Sequence, residues 1–227
     1  MIRAIIFDFD GLILETEEAS YQSWVEIYQS FGQALPFSSW LPNVGTTQGD
    51  LDPQAELERL AQSSVDWESV ESRRRQIEDA LIQAQPLLPG VENYVKDARN
   101  LGLKVGIASN SSNDWVTRHL KRLGLLDYFD QICTSDFVQH IKPHPELYLN
   151  ALHALQVTAD EAVALEDSPL GVRAANRAGI FCVAVPNPLI RPLAIREAGF
   201  QIASLADMPL ATLLAHVQAL KTQRAAS

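Results

Sequence analysis

Short apolar runs rich in β-branched residues recur along the chain, separated by longer stretches with helical periodicity. The runs are Ala4-Ile5-Ile6-Phe7, Lys104 to Ala108, Gln131 to Thr134, Ala162 to Leu165 and Phe181 to Val185. Their hydrophobicity is continuous rather than alternating, as in strands buried on both faces. Amphipathic stretches lie between them, such as Asp114 to Leu123 ending at Gly124, and Gly171 to Ala178 ending at Gly179. A glycine just past the last turn supplies the left-handed residue that closes a helix. Strand and helix in alternation predict an α/β fold, a parallel sheet flanked by helices on both sides.

The interval from Thr16 to Pro86 breaks this rhythm. It reads as helices over Glu17–Phe31, Gln54–Ser63 and Trp67–Ala84. Connections beyond about 12–15 residues are uncommon inside a compact domain, so a helical insert after the first strand is the economical reading. Leu87-Leu88-Pro89-Gly90 returns the chain to the main body. The expected organisation is a main domain of residues 1–16 and 86–227 with an inserted helical domain of residues 17–85. The last residues, Thr222 to Ser227, are expected to fray.

Composition narrows the function. Over 227 residues, 47% are hydrophobic and 20% charged, close to the globular average, which excludes a disordered chain, a collagen-like rod and a coiled coil. A formal net charge of −10 repels polyanions, so nucleic acid and anionic membranes are poor partners. A phosphate-bearing ligand would need a local cation. No apolar run approaches the roughly 20 residues of a bilayer span, and the apolar start of the chain is too short for a signal peptide. Cys133 and Cys182 are far apart, each in an apolar stretch. They read as buried thiols of a protein of the reducing cytoplasm rather than as a disulfide.

Four clusters carry chemistry. Asp8 and Asp10, in Phe7-Asp8-Phe9-Asp10-Gly11, are two apart at the end of a buried strand and are expected on one face. Paired carboxylates there suit Mg²⁺, which uses one or two carboxylates plus substrate phosphate; two turn acids closing a strand are the alternative. Glu166 and Asp167 form a second acid pair, again after an apolar strand, before the small-residue helix start Pro169 to Ala175. Ser109-Asn110-Ser111-Ser112 sits where a strand gives way to a helix, an anion site or plain N-capping. In Lys142-Pro143-His144-Pro145 the prolines stiffen the segment, so Lys142 is either a fixed cation or a solvated surface lysine. His144 reads as structural or exposed.

An order of aspartate pair, serine, lysine and acid pair, each at a strand end or in the loop after it, is far more specific than any one cluster. In DFDGLILETE (8–17), GIASNSS (106–112), KPHPELY (142–148) and LEDSPLGVRAANRAG (165–179), the chain resembles the haloacid dehalogenase-like superfamily, in its phosphatase and phosphomutase branch. The resemblance covers essentially the whole chain and implies a Rossmann-like core with a helical cap. It implies that Asp8 is the nucleophile that forms an aspartyl-phosphate, and that Asp10 is the general acid and then base, its backbone carbonyl facing the metal. Ser109, Asn110 and Lys142 would hold the phosphoryl group, and Asp8, Asp10, Asp167 and Glu166 would serve Mg²⁺.

Departures from the family pattern separate its branches. Dehalogenases lack the second aspartate, and phosphonate-cleaving relatives need a cap lysine, which residues 16–86 do not contain. Phosphomutases of the β-phosphoglucomutase type bring a cap histidine and an arginine, where this chain has Ser20 and, by an approximate match, Gln48. That favours a phosphatase for a small organic monophosphate, with the phosphomutase as the alternative. A non-catalytic binding protein of the same fold is a second alternative, disfavoured because every charged catalytic position is present. The remaining cap cations, Arg59 and Arg73-Arg74-Arg75, read as a solvated helix face. Glu15 stands where relatives have aspartate. Trp24, Trp40 and Leu41 are candidates for the substrate face of the cap or for its core. A monomer is expected.

Overall fold

The computed structural model describes residues 1–44, 51–61, 64–187, 189 and 195–225. These divide into two compact units, one of Met1–Leu14 and Leu87–Ser227 and one of Glu15–Pro86.

The first unit is built on a parallel sheet of β1 (Ala4–Phe7), β2 (Lys104–Ala108), β3 (Gln131–Cys133), β4 (Ala162–Glu166), β5 (Phe181–Ala184) and β6 (Phe200–Gln201), in the spatial order β3-β2-β1-β4-β5-β6. All neighbouring pairs are parallel, and Ala4 registers with Lys104 on one side and Ala162 on the other. Every residue of β1, β4 and β5 is buried, which is why these runs lack the alternation of a half-exposed strand. One sheet face carries small side chains, Ala4, Ala108, Ala162, Ala164 and Cys182, clustered with Tyr148, Ala151, Leu155, Val172 and Ala175. Small residues there let helices lie close to the sheet. Cys133 and Cys182 are free and buried, and burial pushes the Cys133 thiol up to about 11.

The second unit is helical: α1 (Glu17–Ser30), α2 (Phe37–Trp40), α3 (Pro53–Ala61) and α4 (Trp67–Ala84). Beyond Ala61, Gln62 and Ser63 lie outside the described residues, as do Gly45-Thr46-Thr47-Gln48. Glu15 starts α1, its Oε1 accepting the Glu18 N–H at 3.0 Å; the longer acid thus acts as a cap one residue before Thr16. Trp24, Trp40, Tyr28 and Leu57 are buried, and the two tryptophans belong to this unit's core. The arginine run is not a uniformly solvated face. Arg75 is 71% exposed, but Arg74 is 12% exposed and lies between Glu71 (2.8 Å) and Glu78 (2.9 Å). Arg74 also donates to Ser23 Oγ and stacks on Trp24. Helical spacing puts Arg74 toward α1 and Arg73 and Arg75 away from it.

The first unit is completed by α5 (Val91–Asn100), α6 (Asn113–Arg122), α7 (Glu146–Leu155), α8 (Pro169–Arg177) and α9 (Leu210–Ala225). Helix α5 packs on β2 and α9, and α7 on β2, β3 and α8, covering the sheet on both faces. Among the described residues no helix is long and apolar enough to cross a membrane.

Candidate active site

Ligands of open parallel sheets bind beyond the C-terminal strand ends, where the strand order reverses. Here that place is the end of β1, between β2 and β4. The Asp8 N–H still bonds Leu165 O at 3.0 Å, carrying the ladder one residue past β1. The chain then turns at Gly11, whose φ is +76° and whose N–H bonds Leu14 O at 2.8 Å. A Cβ on Gly11 would lie 2.1 Å from Asp167 Oδ2. Glycine is therefore needed both for the backbone conformation and for the room that the Asp167 carboxylate takes.

At the end of β4 the Glu166 side chain is fully buried. Its Oε1 accepts from Lys142 Nζ and from the Tyr148 hydroxyl, each at 2.6 Å. Ser168, which caps α8 through Gly171 N–H at 3.2 Å, also reaches Glu166 Oε2 at 3.4 Å. A Cβ on Gly171 would fall 2.0 Å from Glu166 Oε1. In an ordinary helix Gly→Ala stabilises by about 1 kcal/mol. Gly171→Ala should instead destabilise by roughly 1–3 kcal/mol through overpacking. Thermal unfolding reads the sign, and a raised melting temperature would refute this account of the packing.

Lys142 is the electrostatic centre. Only 3% of its side chain is exposed, and Nζ lies 2.8 Å from Asp8 Oδ1 and 2.6 Å from Glu166 Oε1. Its backbone N–H is held by Asn110 Oδ1 at 2.8 Å, and the Ile141–His144 turn is closed by a 3.0 Å bond. Burial alone would pull the Lys142 ammonium down, but the carboxylates of Asp8 and Glu166 outweigh it and hold it above the ordinary lysine range. Burial, then the Asp8 charge, pushes the Glu166 carboxyl upward, against the pull of Lys142 and Tyr148. Tyr148 is itself held far up by burial and by Glu166, so it stays a phenol and donates.

Asp8, Glu166 and Asp167 place ligand oxygens within 4.8 Å of one another, all buried. One ammonium cannot neutralise three carboxylates out of water, and a hard dication answers such a donor set. The cluster therefore fits Mg²⁺. Asp8 and Asp167 would hold it, while Glu166, occupied by Lys142 and Tyr148, would act by fixing the lysine.

The carboxylates grouped within 4.8 Å are those of Asp8, Glu166 and Asp167, and the Asp10 carboxylate has partners of its own. Oδ2 accepts from Ser111 Oγ at 2.6 Å and lies 3.5 Å from Ser109 Oγ, while Oδ1 accepts from Trp115 Nε1 at 3.1 Å. The strand stops at Phe7 and the turn at Gly11 begins, so strand alternation no longer decides where the second aspartate points. Ser109 is buried, and its Oγ accepts the Ser111 N–H at 3.0 Å. The N-cap of α6 is Ser112, through Trp115 N–H at 3.3 Å, so Ser109 is not the cap of that helix. Asn110 fixes the Lys142 backbone through its Oδ1. Trp115 and Tyr148 were not among the expected site residues, and Ser111 was expected only as one hydroxyl of its cluster. Trp115 lies in the first turn of α6 and Tyr148 two residues into α7, and only the fold brings them in.

Comparison with known proteins places this arrangement. The profile of the family described as haloacid dehalogenase-like hydrolase matches residues 5–185. The chain belongs to that family. It is 43% identical over 217 residues to the Bacillus subtilis (strain 168) protein named "Putative phosphatase YhcW", spanning 96% of this chain and 98% of that one. It is 31% identical to hexitol phosphatase B of Escherichia coli (strain K12), over 82% and 85% of the two chains. Among solved structures, CbbY from Rhodobacter sphaeroides in complex with phosphate superposes with a TM-score of 0.74 at 29% identity, covering 94% of this chain and 99% of that one. As a haloacid dehalogenase-like hydrolase with relatives named phosphatases, the chain is an enzyme of the phosphatase type. Asp8, Ser109, Lys142, Glu166 and Asp167 all lie at the C-terminal ends of its strands or in the loops that follow.

Proposed function

We propose that the chain is a Mg²⁺-dependent phosphomonoester hydrolase acting on a small phosphorylated metabolite of the sugar-phosphate class, through an aspartyl-phosphate on Asp8. The observation that carries this reading is the buried Lys142 ammonium bound to Asp8 at 2.8 Å, beside a second aspartate kept apart by its own donors. A carboxylate that attacks a phosphate dianion meets strong repulsion, and a fixed, desolvated cation offsets it. Asp8 Oδ attacks phosphorus, and the bond to the leaving oxygen breaks as Asp10 gives that oxygen a proton. Asp10 then takes a proton from water, which attacks the acyl phosphate and releases phosphate and Asp8. The Ser111 and Trp115 donors hold the Asp10 carboxylate in place for both transfers. Mg²⁺, when bound, supplies further positive charge to the transferring oxygens.

The substrate class rests on the relatives. Hexitol phosphatase B and the Thermotoga maritima phosphorylated carbohydrates phosphatase act, by name, on sugar or polyol phosphates. The helical unit of residues 15–86 is the proposed cap that selects among substrates. Beta-phosphoglucomutase of Bacillus subtilis is 27% identical over 195 residues, so a mutase is the competing reading. Ser20 in place of the expected histidine argues against it; Gln48 lies outside the described residues. A cytoplasmic monomer completes the proposal. The test is phosphate release from a panel of sugar and polyol monophosphates, with Mg²⁺ and with a chelator. Hydrolysis that the chelator abolishes is expected. Conversion of β-glucose 1-phosphate to glucose 6-phosphate faster than phosphate release would overturn the reading in favour of a mutase. No release from any member of the panel would overturn it outright.

A further inference from the structure

The loop that carries Lys142 has a second chemistry on its outer side. His140 and His144 stand two residues to either side of Lys142, and Glu146 is the first residue of α7. One ligand atom from each of these three lies within 4.8 Å of the others. The Glu146 carboxylate is fixed in place: Oε1 accepts the Gln139 N–H and Oε2 the His140 N–H, both at 3.0 Å. Those backbone donors, Gln139 first, hold the carboxyl below the ordinary range, so it is an ionised oxygen donor.

The two imidazoles converge on it. His140 Nδ1 is 3.4 Å and His144 Nδ1 3.8 Å from the same Glu146 Oε2, and the ring centroids are 4.8 Å apart. The His144 separation is beyond hydrogen-bond reach and the His140 one is at its outer edge, the ordinary bond falling near 2.7–3.2 Å. They are close to the spacing of about 3.4 Å between neighbouring ligands of a tetrahedral centre with bonds of about 2.1 Å. The histidine side chains are 64% and 49% exposed, so an ion has an entry path and a fourth position open to water.

We propose that His140, His144 and Glu146 form a second metal site, for a borderline divalent cation of the zinc class. Two imidazoles and one carboxylate select such ions over Mg²⁺, which takes oxygen donors. The site is separate from the Asp8, Glu166 and Asp167 cluster and independent of the phosphatase reading. A cation there bridges the loop before Lys142 to the start of α7, the helix that carries Tyr148, and so fastens both groups that hold Glu166.

Cobalt is the probe, because four-coordinate Co²⁺ absorbs in the visible. The intact protein is titrated with Co²⁺ in excess Mg²⁺, alongside His140→Ala, His144→Ala and Asp167→Asn. Wild type and Asp167→Asn are expected to bind one equivalent with a tetrahedral band that Zn²⁺ abolishes. Each histidine variant is expected to bind at least tenfold more weakly. Both histidines are exposed, and circular dichroism checks that the variants fold. An unchanged titration in His144→Ala, or loss of the band in Asp167→Asn alone, would overturn the proposal. So would a wild type that binds no Co²⁺ at millimolar concentration.

Discussion

Replacing Asp8 with asparagine should lower kcat for p-nitrophenyl phosphate hydrolysis by roughly four to six powers of ten, the scale of losing a nucleophile. The side chain keeps its shape and its Oδ1, so the 2.8 Å contact with Lys142 and the 2.7 Å bond from Phe9 N–H can persist. What disappears is the anionic oxygen that would bond to phosphorus. If Asp8 only ligated a metal that activated water, the variant would bind Mg²⁺ more weakly and recover as Mg²⁺ was raised. A nucleophile predicts no such recovery. Steady-state rates at several Mg²⁺ concentrations separate the two, and a variant within tenfold of wild type at saturating Mg²⁺ would remove Asp8 from the chemistry. Acid-quenched protein incubated with radiolabelled phosphate donor should carry label on the wild type and none on the variant.

The parts of this site that were legible in the sequence are those that depend on strand ends alone. Runs such as Ala4–Phe7 and Lys104–Ala108 are apolar on both faces, so their bounds are visible, and the acids and hydroxyls after them mark the C-terminal edge. Strand β6, Phe200–Gln201, has two residues with an exposed Gln201, too little pattern to register. Asp10 shows where local reasoning stops. A period of two holds only while the chain is a strand, and the Gly11 turn hands the carboxylate to Ser111 and Trp115. Trp115 was legible as part of an amphipathic helix but not as a donor, because its indole N–H meets Asp10 across 105 positions of sequence. Arg74 was hidden in the same way: three consecutive arginines look solvated, yet one of them points between Glu71 and Glu78 toward α1.

Lys142→Met should destabilise the protein by about 3–5 kcal/mol near pH 8, the range for removing one partner of a buried ion pair. Methionine matches the length of the lysine stem, so packing changes little and the effect is electrostatic. The variant leaves Asp8 and Glu166 beside each other without their shared ammonium, which sits 2.8 Å from one and 2.6 Å from the other. The loss should depend on pH, and the sign follows from Glu166. Its carboxyl is already pushed upward by burial and by Asp8, with Lys142 pulling the other way; without the lysine it rises further. A carboxyl raised in the folded state binds its proton more tightly there than in the unfolded chain. Its contribution to stability is therefore fully present below the ordinary carboxylate range and lost as pH rises through the folded value. Removing Lys142 steepens that loss, so the gap between wild type and variant should be smaller at pH 5 than at pH 8. Denaturant unfolding at the two pH values measures it. A further Asp8→Asn change in the Lys142→Met background should recover part of the loss, because it removes one of the two stranded charges. A gap that is the same at both pH values, or a variant more stable than wild type at pH 8, would mean that Lys142 does not hold the acid pair together.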